Sequence, residues 1–510
     1  MKKSILLIMV FAIFTKMLGF SRDILLSYFY GVSNISDAYL ISIIIPTSIV
    51  ALIGTGIATS YIPMYSAIEN DNGIKIADEF TNNVINFILI ICTIIVILVF
   101  IFTEPIVRLF ASGFEGEVLN LTVTFTRISI FSVYFAGMIY VFSGYLQMKD
   151  KFSIPALMGV PLNLLIMLSI FLSTKFNINI LSIGTAVAMG FQALFLIPFV
   201  YKIGLRYKLK IDIGNEHIRK LIVLSLPVIL GVSVTQVNVI VDKTMASHIA
   251  VGGISALNYA ERLTEFIQAT FVMSIITVIY PRISKLASEG NLNGLKKMVL
   301  GSINGINLLV IPVSVGAIIL AEPIVRLLFG RGAFEEAAIL MTSNALFFYS
   351  IGLMGFGLRE VLSRAFYALQ DVKTPMINAA IALFLNIILN ILLSKFLGIG
   401  GLALATSISA TFCTGLLLLK LREKIGPFGI KSITISFIKI LCASSIMGLI
   451  LIISYNYLFS FLSEITSILI SIFIATIVYF IIIYNMKVES TFIIENSIKR
   501  WLDIKKNKGF

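Results

Sequence analysis

The sequence predicts an all-α polytopic membrane protein with about 14 transmembrane helices, arranged as two parallel six-helix lobes plus two C-terminal helices. Composition is the first observation. Of the 510 residues, 58% are hydrophobic and 13% are charged, whereas a soluble protein carries roughly 25% charged residues. The second is that apolar runs of the roughly 20 residues needed for a spanning helix recur along the whole chain. The third is an internal repeat. A β-barrel would instead show short segments of alternating polarity.

The apolar runs set the limits of the predicted helices. They lie near 4–29, 36–65, 80–103, 119–147, 154–173, 180–201, 219–247, 255–280, 299–320, 337–368, 375–394, 400–420, 433–456 and 464–486. Because the number is even, both termini are expected on one side. Loops on that side hold most of the Lys and Arg residues, and basic loops stay in the cytoplasm. The sequence therefore predicts a multi-pass protein of the cytoplasmic (inner) membrane with both termini cytoplasmic.

The remaining composition excludes several function classes. A net charge of +13 in a membrane protein points to orientation and anionic lipid, and no nucleic-acid partner is expected. The three cysteines lie in apolar runs without paired spacing, and the two histidines stand alone. Neither a disulfide framework nor a cysteine-based metal site is expected. The sequence contains no HExxH, Walker or CxxC motif, so nothing indicates a soluble catalytic domain.

The internal repeat is most visible in a six-residue motif. EPIVRL at Glu104–Leu109 recurs at Glu322–Leu327, an offset of 218 residues. Further matches lie at nearly the same offset; among them Pro63 corresponds to Pro281, and Pro155 to Pro375. The repeat is six helices long, so both copies enter the membrane from the same side. A parallel repeat of this kind predicts two bundles with the substrate path between them.

The repeat also sets the predicted domains. They are an N-lobe (1–201), a basic cytoplasmic linker (202–218), a C-lobe (219–422), helices 13 and 14 (423–490) and a cytoplasmic amphipathic tail (491–510). In the tail, apolar residues at near-helical spacing alternate with lysine and arginine, which favours an interfacial helix over a disordered basic tail.

Ionisable residues inside the predicted spans are the first functional candidates. Such groups are costly at membrane depth and usually face a cavity or a partner. On helix 1, Lys16 and Arg22 outnumber Asp23, and Asp37 follows on helix 2. Excess cations in a cavity suit an anion such as a phosphate, which Arg binds through its bidentate fork. The alternative is that these residues snorkel to the headgroups or sit at a helix end.

Two predicted helices of the C-lobe carry pairs at helical spacing. Arg262 and Glu265 lie three residues apart on helix 8, so the arginine is held close to a carboxylate. On helix 10, Glu360 and Arg364 lie four apart, which is typical of a neutralising pair that allows insertion.

A weakly charged set predicts an ion site. One carboxylate, two amides and a hydroxyl are hard oxygen ligands, which suit Na⁺ better than a transition metal. They are Asp242, Asn386, Asn390 and Thr406. The alternative is hydrogen bonding between helices, which is common for Asn and Thr in membranes.

Four motifs carry a family resemblance that extends over nearly the whole chain. They are LGFSRDILLSYFYG followed by SDAY, NYAERLTEF, EPIVRLLFGRGAF and LSRAFYALQDVKTP. The chain resembles the MurJ (MviN) family of lipid II flippases, within the multidrug/oligosaccharidyl-lipid/polysaccharide exporter superfamily. The resemblance implies a transporter, and not an enzyme, that flips an undecaprenyl-pyrophosphate-linked disaccharide-pentapeptide across the membrane by alternating access during peptidoglycan biosynthesis. It implies membrane lipids and the cell-wall synthesis machinery as partners. No cofactor is required, and either Na⁺ coupling or the membrane potential is the expected drive.

The resemblance also implies site residues. The family's cavity cations fall at Arg22 and Arg262, with Lys16 where Arg is commoner. Asp23, Asp37 and Arg364 match charged positions, and the family's sodium site maps onto the four residues of the ion set. Together with Glu265, these are the predicted substrate and ion contacts.

One departure from the family pattern, on helix 2, leaves other substrates as alternatives. Well-studied members carry a basic pair and a Glu on helix 2, whereas here PTSIVALIGTGIATSYIP is uncharged. Export of another undecaprenyl-linked saccharide, of capsule or teichoic type, is therefore an alternative. A drug/cation antiporter is less favoured, because it would want a carboxylate-rich first lobe. A membrane glycosyltransferase or ligase would need long outer loops, and the outer loops here are short.

Overall fold

The structure, a computed structural model, describes residues 2–209, 211–212 and 214–486, without the side chains of residues 2–10 and 12. Every regular element within these ranges is helical. The predicted amphipathic tail, 491–510, lies outside the described residues.

The helices follow one another with short connections. The first half of the chain forms α1 (Lys2–Tyr30), α2 (Asn34–Asn72), α3 (Ile74–Ile101), α4 (Thr103–Phe110), α5 (Gly116–Ser129), α6 (Ser132–Met148), α7 (Ser153–Leu157), α8 (Gly159–Ser173), α9 (Ile180–Ile203) and α10 (Glu216–Ile249). The second half forms α11 (Gly253–Ile267), a π-helical turn (Gln268–Val272), α12 (Met273–Ser288), α13 (Leu292–Ile319), α14 (Ala321–Phe329), α15 (Glu336–Ala368), α16 (Lys373–Leu397), α17 (Ile399–Ile425), α18 (Ile430–Phe459) and α19 (Glu464–Asn485).

The predicted all-α membrane class is confirmed, but the count of fourteen spans is not. Within the described residues, 12 helices are long and apolar enough to cross a membrane, or 13 if the bent pair α5–α6 is one span. Helix α1, whose first side chains are not described, is not among them.

Three predicted spans are not single regular helices. Span 119–147 bends by 42° between α5 and α6. No Pro or Gly lies at the bend, where hydrogen bonds such as Val133 N–H to Ile130 O tighten the chain to three-residue spacing. The buried Ser129 hydroxyl beside it donates to Ser42 O on α2, at 2.5 Å. Span 154–173 is divided into α7 and α8, and span 255–280 is interrupted by the π-helical turn.

The contacts divide the chain into two compact units. The first comprises Met1–Ser255 with Arg331–Ala338, and the second Ala256–Gly330 with Ile339–Phe510. The repeat assigns α10 to the C-lobe, yet the helix belongs to the first unit. There the Ser225 hydroxyl donates to Gly56 O on α2, at 3.0 Å. The domain boundaries drawn from the repeat stay predictions.

Each unit has its own hydrophobic core. In the first unit the core includes an aromatic group from α2, α3 and α6, in which Tyr61 stacks on Phe80 and Tyr65 meets Tyr145 edge to face. In the second unit one cluster centres on α13, α15 and α17, and another joins α18 and α19 to α13.

The two copies of the repeat share local structure as well as sequence. The EPIVRL motifs form the short helices α4 and α14, each with a Glu–Arg ion pair: Glu104–Arg108 at 2.9 Å and Glu322–Arg326 at 2.8 Å. Asp150 and Gln370, 220 residues apart, are the two non-glycine residues with positive φ in the described chain, at 58° and 60°. Each is the second residue after a helix end, so the two copies end these helices in the same way.

Candidate substrate and ion sites

Arg22 on α1 is hydrogen-bonded to the carboxylate of Asp23, the next residue in the sequence. Arg22 donates from Nε and Nη2 to Asp23 Oδ1, at 3.0 and 2.8 Å. Asp23 is buried, and the Arg22 side chain is 24% exposed. Among the described residues Asp23 takes two of the five guanidinium N–H groups, which leaves donors for an anion.

Lys16 occupies a different side of α1. Six residues of a regular helix turn the side chain by roughly 600°, so Lys16 and Arg22 point about 120° apart. Lys16 is exposed and has no acidic partner among the described residues. The helix therefore does not present the two cations on a common face.

Asp37 lies at 1% exposure near the start of α2. Its Oδ1 accepts two hydrogen bonds from Ser255, one from the backbone N–H and one from the hydroxyl, both at 2.7 Å. Ser255 lies in the first turn of α11, so the carboxylate caps that helix across 218 residues of sequence. These contacts give Asp37 a structural role, and its role as a substrate contact stays a prediction.

In the second unit, Arg262 and Glu265 form the pair that their spacing predicts. Arg262 Nη1 donates to Glu265 Oε2 at 2.7 Å, with both side chains partly exposed. The π-helical turn begins at Gln268, three residues later. Such turns often occur beside functional residues, because the extra residue changes the direction in which the following side chains point.

Arg364 has one distant carboxylate partner and two aromatic neighbours. Its nearest carboxylate oxygen, on Glu360, is 3.9 Å away, as the four-residue spacing predicts. The guanidinium carbon lies 5.7 Å from the Tyr280 ring centre and 6.0 Å from that of Tyr367. Its buried Nε has no hydrogen-bond partner among the described residues. The two rings place the cation in a partly apolar setting.

Three of the four predicted ion ligands meet in the second unit. Asn390 Nδ2 donates to Asn386 Oδ1 at 2.9 Å, and Asn386 Nδ2 lies 3.2 Å from Thr406 Oγ1. The fourth, Asp242, belongs to the first unit, where Asn238 Nδ2 donates to its Oδ2 at 3.2 Å. The contacts within α16 and α17 are those of helix-to-helix hydrogen bonding, and the four-residue ion site stays a prediction. Among the described residues no three His, Cys, Asp or Glu side chains cluster as metal ligands do.

A cavity of about 450 Å³ lies inside the first unit, between α2, α6 and α9. Its lining is uncharged and includes Gln147, Tyr140 and the 6%-exposed Gln192. None of the predicted substrate or ion residues contributes to it. An uncharged wall makes this cavity unsuitable for a pyrophosphate.

Sequence reasoning missed two polar groups. Lys149 pairs with Glu69 at 2.6 Å and lies over the ring of Tyr65, which ties α2 to the end of α6. Three asparagines of α3 bind the backbone of the segment between α9 and α10. The asparagine run NNVIN, at the head of an apolar stretch, was the signal for the second group.

Comparisons with known proteins identify the family. The family model for the lipid II flippase MurJ matches residues 26–487. The chain belongs to the MurJ family of lipid II flippases.

Individual relatives agree with the family model. The lipid II flippase MurJ of Thermosipho africanus is 31% identical over 471 residues, which cover 92% of this chain and 93% of the relative. A probable lipid II flippase MurJ of Buchnera aphidicola subsp. Baizongia pistaciae is also 31% identical, over 90% of both chains.

Solved structures agree with the fold. A MurJ lipid II flippase in an inward closed conformation matches with a TM-score of 0.82 and 31% identity, covering 94% of this chain and 98% of that one. An inward-facing MATE family transporter of the MOP superfamily matches with a TM-score of 0.67 at 16% identity, over 81% of this chain and 94% of that one. The second likeness shows the fold alone.

Proposed function

We propose that this chain moves lipid II, the undecaprenyl-pyrophosphate-linked disaccharide-pentapeptide, from the inner to the outer leaflet of the cytoplasmic membrane by alternating access. The observation that carries the proposal is the match to lipid II flippases over more than nine-tenths of the chain at 31% identity. No bond is made or broken, so the chain acts as a transporter and not as an enzyme.

The pyrophosphate is proposed to bind the two arginines that carry their own acidic partner. Asp23 and Glu265 accept hydrogen bonds from the guanidinium groups of Arg22 and Arg262, respectively. A guanidinium group can bind a phosphate through two parallel N–H bonds. Lys16 is proposed as a further cationic contact from another side of α1, whereas Arg364, lying over two tyrosine rings, suits a less hydrated part of the ligand.

The setting proposed for this transport follows from the loops and the chemistry. Both termini lie in the cytoplasm, because the basic loops are on their side. Undecaprenyl-linked precursor and membrane lipids are the direct partners, and the cell-wall synthesis machinery consumes the product. The drive is a Na⁺ gradient acting through Asp242, Asn386, Asn390 and Thr406, or the membrane potential.

Complementation tests the proposal. In cells depleted of their only lipid II flippase, this chain should restore growth, and Arg22→Ala or Arg262→Ala should abolish rescue at matched abundance. Arg→Lys at either position should rescue partly, because the charge stays but the fork is lost. Arg108→Ala, which removes an exposed cation of α4, is the matched control and should rescue fully. Full rescue by both Ala variants would show that the phosphate does not depend on these arginines.

A second candidate substrate is another undecaprenyl-linked saccharide. It is favoured by the uncharged stretch of α2 between Pro46 and Pro63. Failure to rescue lipid II depletion, together with rescue of a strain lacking its capsule or teichoic exporter, would support this candidate.

A further inference from the structure

The segment that follows α9 is hydrogen-bonded to α3, and its described residues, 205–209, 211 and 212, are termed the linker strap. Gly204 ends α9 at φ 122°, a conformation that side-chain-bearing residues rarely adopt. Leu205 then packs into the core. From there the described part of the strap is not helical. Its backbone groups therefore need partners outside the strap.

Asparagines of α3 supply these partners. Asn82 Nδ2 donates to Arg206 O, and Asn82 Oδ1 accepts from the Lys208 N–H, both at 3.0 Å. Asn83 makes the same two-way pair with the carbonyl and N–H of Asp212, at 2.8 and 2.9 Å. A side-chain amide that both donates to and accepts from a backbone imitates the edge of a neighbouring strand.

The third asparagine fixes the middle of the strap. Asn86 Nδ2 donates to Lys208 O at 3.1 Å, and Asn86 Oδ1 accepts from the Tyr207 hydroxyl at 2.6 Å. The conformation of the strap is therefore imposed by α3 rather than by its own sequence.

This conformation determines which side chains the strap presents. Arg206 and Lys208 are exposed, and so are the aliphatic side chains of Leu209, at 79%, and Ile211, at 52%. The strap therefore exposes both cationic and aliphatic side chains. Between residues 202 and 220 the only acidic residues are Asp212 and Glu216, so the segment is strongly basic.

The position of the asparagines on α3 gives the depth of the strap. The first turns of α3 carry Lys75, Asp78 and Glu79, whereas residues 87–101 are all uncharged and mostly apolar. The strap is bound where the polar start of this candidate span passes into its apolar run. That is the depth of the headgroups, where basic side chains attract anionic lipid and neighbouring aliphatic groups enter the acyl boundary.

We propose that the linker strap is a preorganised docking surface for an anionic phospholipid. The headgroup phosphate binds Arg206 and Lys208, while Leu209 and Ile211 enter the apolar edge of the leaflet. An acidic protein segment would also meet the charges, but it would leave Leu209 and Ile211 outside the lipid. The two occupants therefore differ in what surrounds Leu209.

Site-specific fluorescence tests the proposal on the full chain in lipid nanodiscs. Leu209→Cys is labelled with an environment-sensitive dye in a Cys442→Ser background, because Cys442 is exposed and the other two cysteines are buried. Exchanging phosphatidylcholine for phosphatidylglycerol should shift the emission to the blue and increase quenching by acyl-chain quenchers several-fold. Arg206→Glu with Lys208→Glu should remove both responses.

Two further variants make the result specific. Arg282→Glu with Lys297→Glu removes one exposed arginine and one exposed lysine elsewhere, and it should leave the response intact. Asn82→Leu with Asn83→Leu keeps every charge but removes the hydrogen bonds of these two side chains to the strap, and it should reduce the response. Equal quenching in both lipids, or an equal loss in the Arg282/Lys297 control, overturns the proposal. If the asparagine variant fails to fold, the two charge variants still decide.

Discussion

At the scale of single residues, Asp37 separates a structural role from a functional one. Asp37→Ala removes the acceptor of two buried hydrogen bonds from Ser255. The loss should lower the free energy of unfolding by about 1–3 kcal/mol, because the buried Ser255 N–H loses its acceptor, whereas the hydroxyl can still donate to Gly252 O. Asp37→Asn keeps an acceptor oxygen and should retain most of the stability. Thermal unfolding in detergent measures both.

The same pair of variants tests the predicted substrate role of Asp37. If the carboxylate only caps α11, Asp37→Asn should transport nearly normally. Transport lost at normal thermal stability would instead assign Asp37 to the substrate.

Asp371, in the connection between α15 and α16, gives a pH-dependent prediction. Burial by itself would raise the pKa of this carboxyl. Hydrogen bonds from Lys424 and Thr374 outweigh burial and lower the pKa to about 2. A folded-state pKa below the usual value of about 3.9 means that the charged form contributes stability at neutral pH. That contribution is lost as the pH falls from roughly 4 towards 2.

The measurement compares Asp371→Asn with the parent chain. The variant should melt at a lower temperature at pH 7, and the difference should shrink as the pH falls through that window. Glu423→Gln, which removes an exposed carboxylate paired with Lys420, is the control. A difference that does not change with pH would contradict the assignment.

At the scale of elements, α16 and α17 carry the ion prediction. Asn386, Asn390 and Thr406 already bond to one another, so an ion must replace those contacts in order to bind. If Asp242 joins them in Na⁺ coordination, Asp242→Ala and Asn386→Ala should each abolish sodium-dependent transport. Asn378→Ala, at another buried asparagine of α16, should retain it. Sodium dependence that survives Asp242→Ala would leave only hydrogen bonding between the helices.

The helices and their contacts differ in how far they could be predicted from the sequence. Apolar runs placed the helices because each lipid-spanning helix must satisfy its own backbone. Spacing predicted the Arg262–Glu265 and Glu360–Arg364 pairs, because contacts within a helix are local. The bend near Ser129 and the strap contacts of Asn82 depend on partners more than 80 residues away in the sequence. No local sequence pattern encodes such partners. For the same reason, the sequence alone could not show which of the predicted substrate and ion contacts lie together.

At the scale of the whole molecule, topology is the prediction to test. Both termini should be cytoplasmic, so the ends of α4 and α14 should face outward. Glu115→Cys and Glu335→Cys are suitable probes, because both positions are exposed. Gly113 and Gly332 are poor choices, because a Cβ added there would clash with Ser247 O and Tyr28 O, respectively.

In a Cys442→Ser background, an impermeant thiol reagent added outside intact cells should label both probes. Lys208→Cys, on the linker strap, should react only after the cells are opened. Labelling of Lys208→Cys in intact cells would reverse the orientation.

The hydrogen bonds of Asn82, Asn83 and Asn86 to the linker strap also have a consequence for biosynthesis. Each of the three asparagines precedes its strap partner in the sequence, by 121 to 129 residues. A ribosome that has just synthesised Asn215 has therefore already made every donor and acceptor of these hydrogen bonds. Once the strap has left the ribosome, it can dock on α3 before the later helices have been inserted. The second half of the chain is then inserted while the segment that precedes it is already bound to α3.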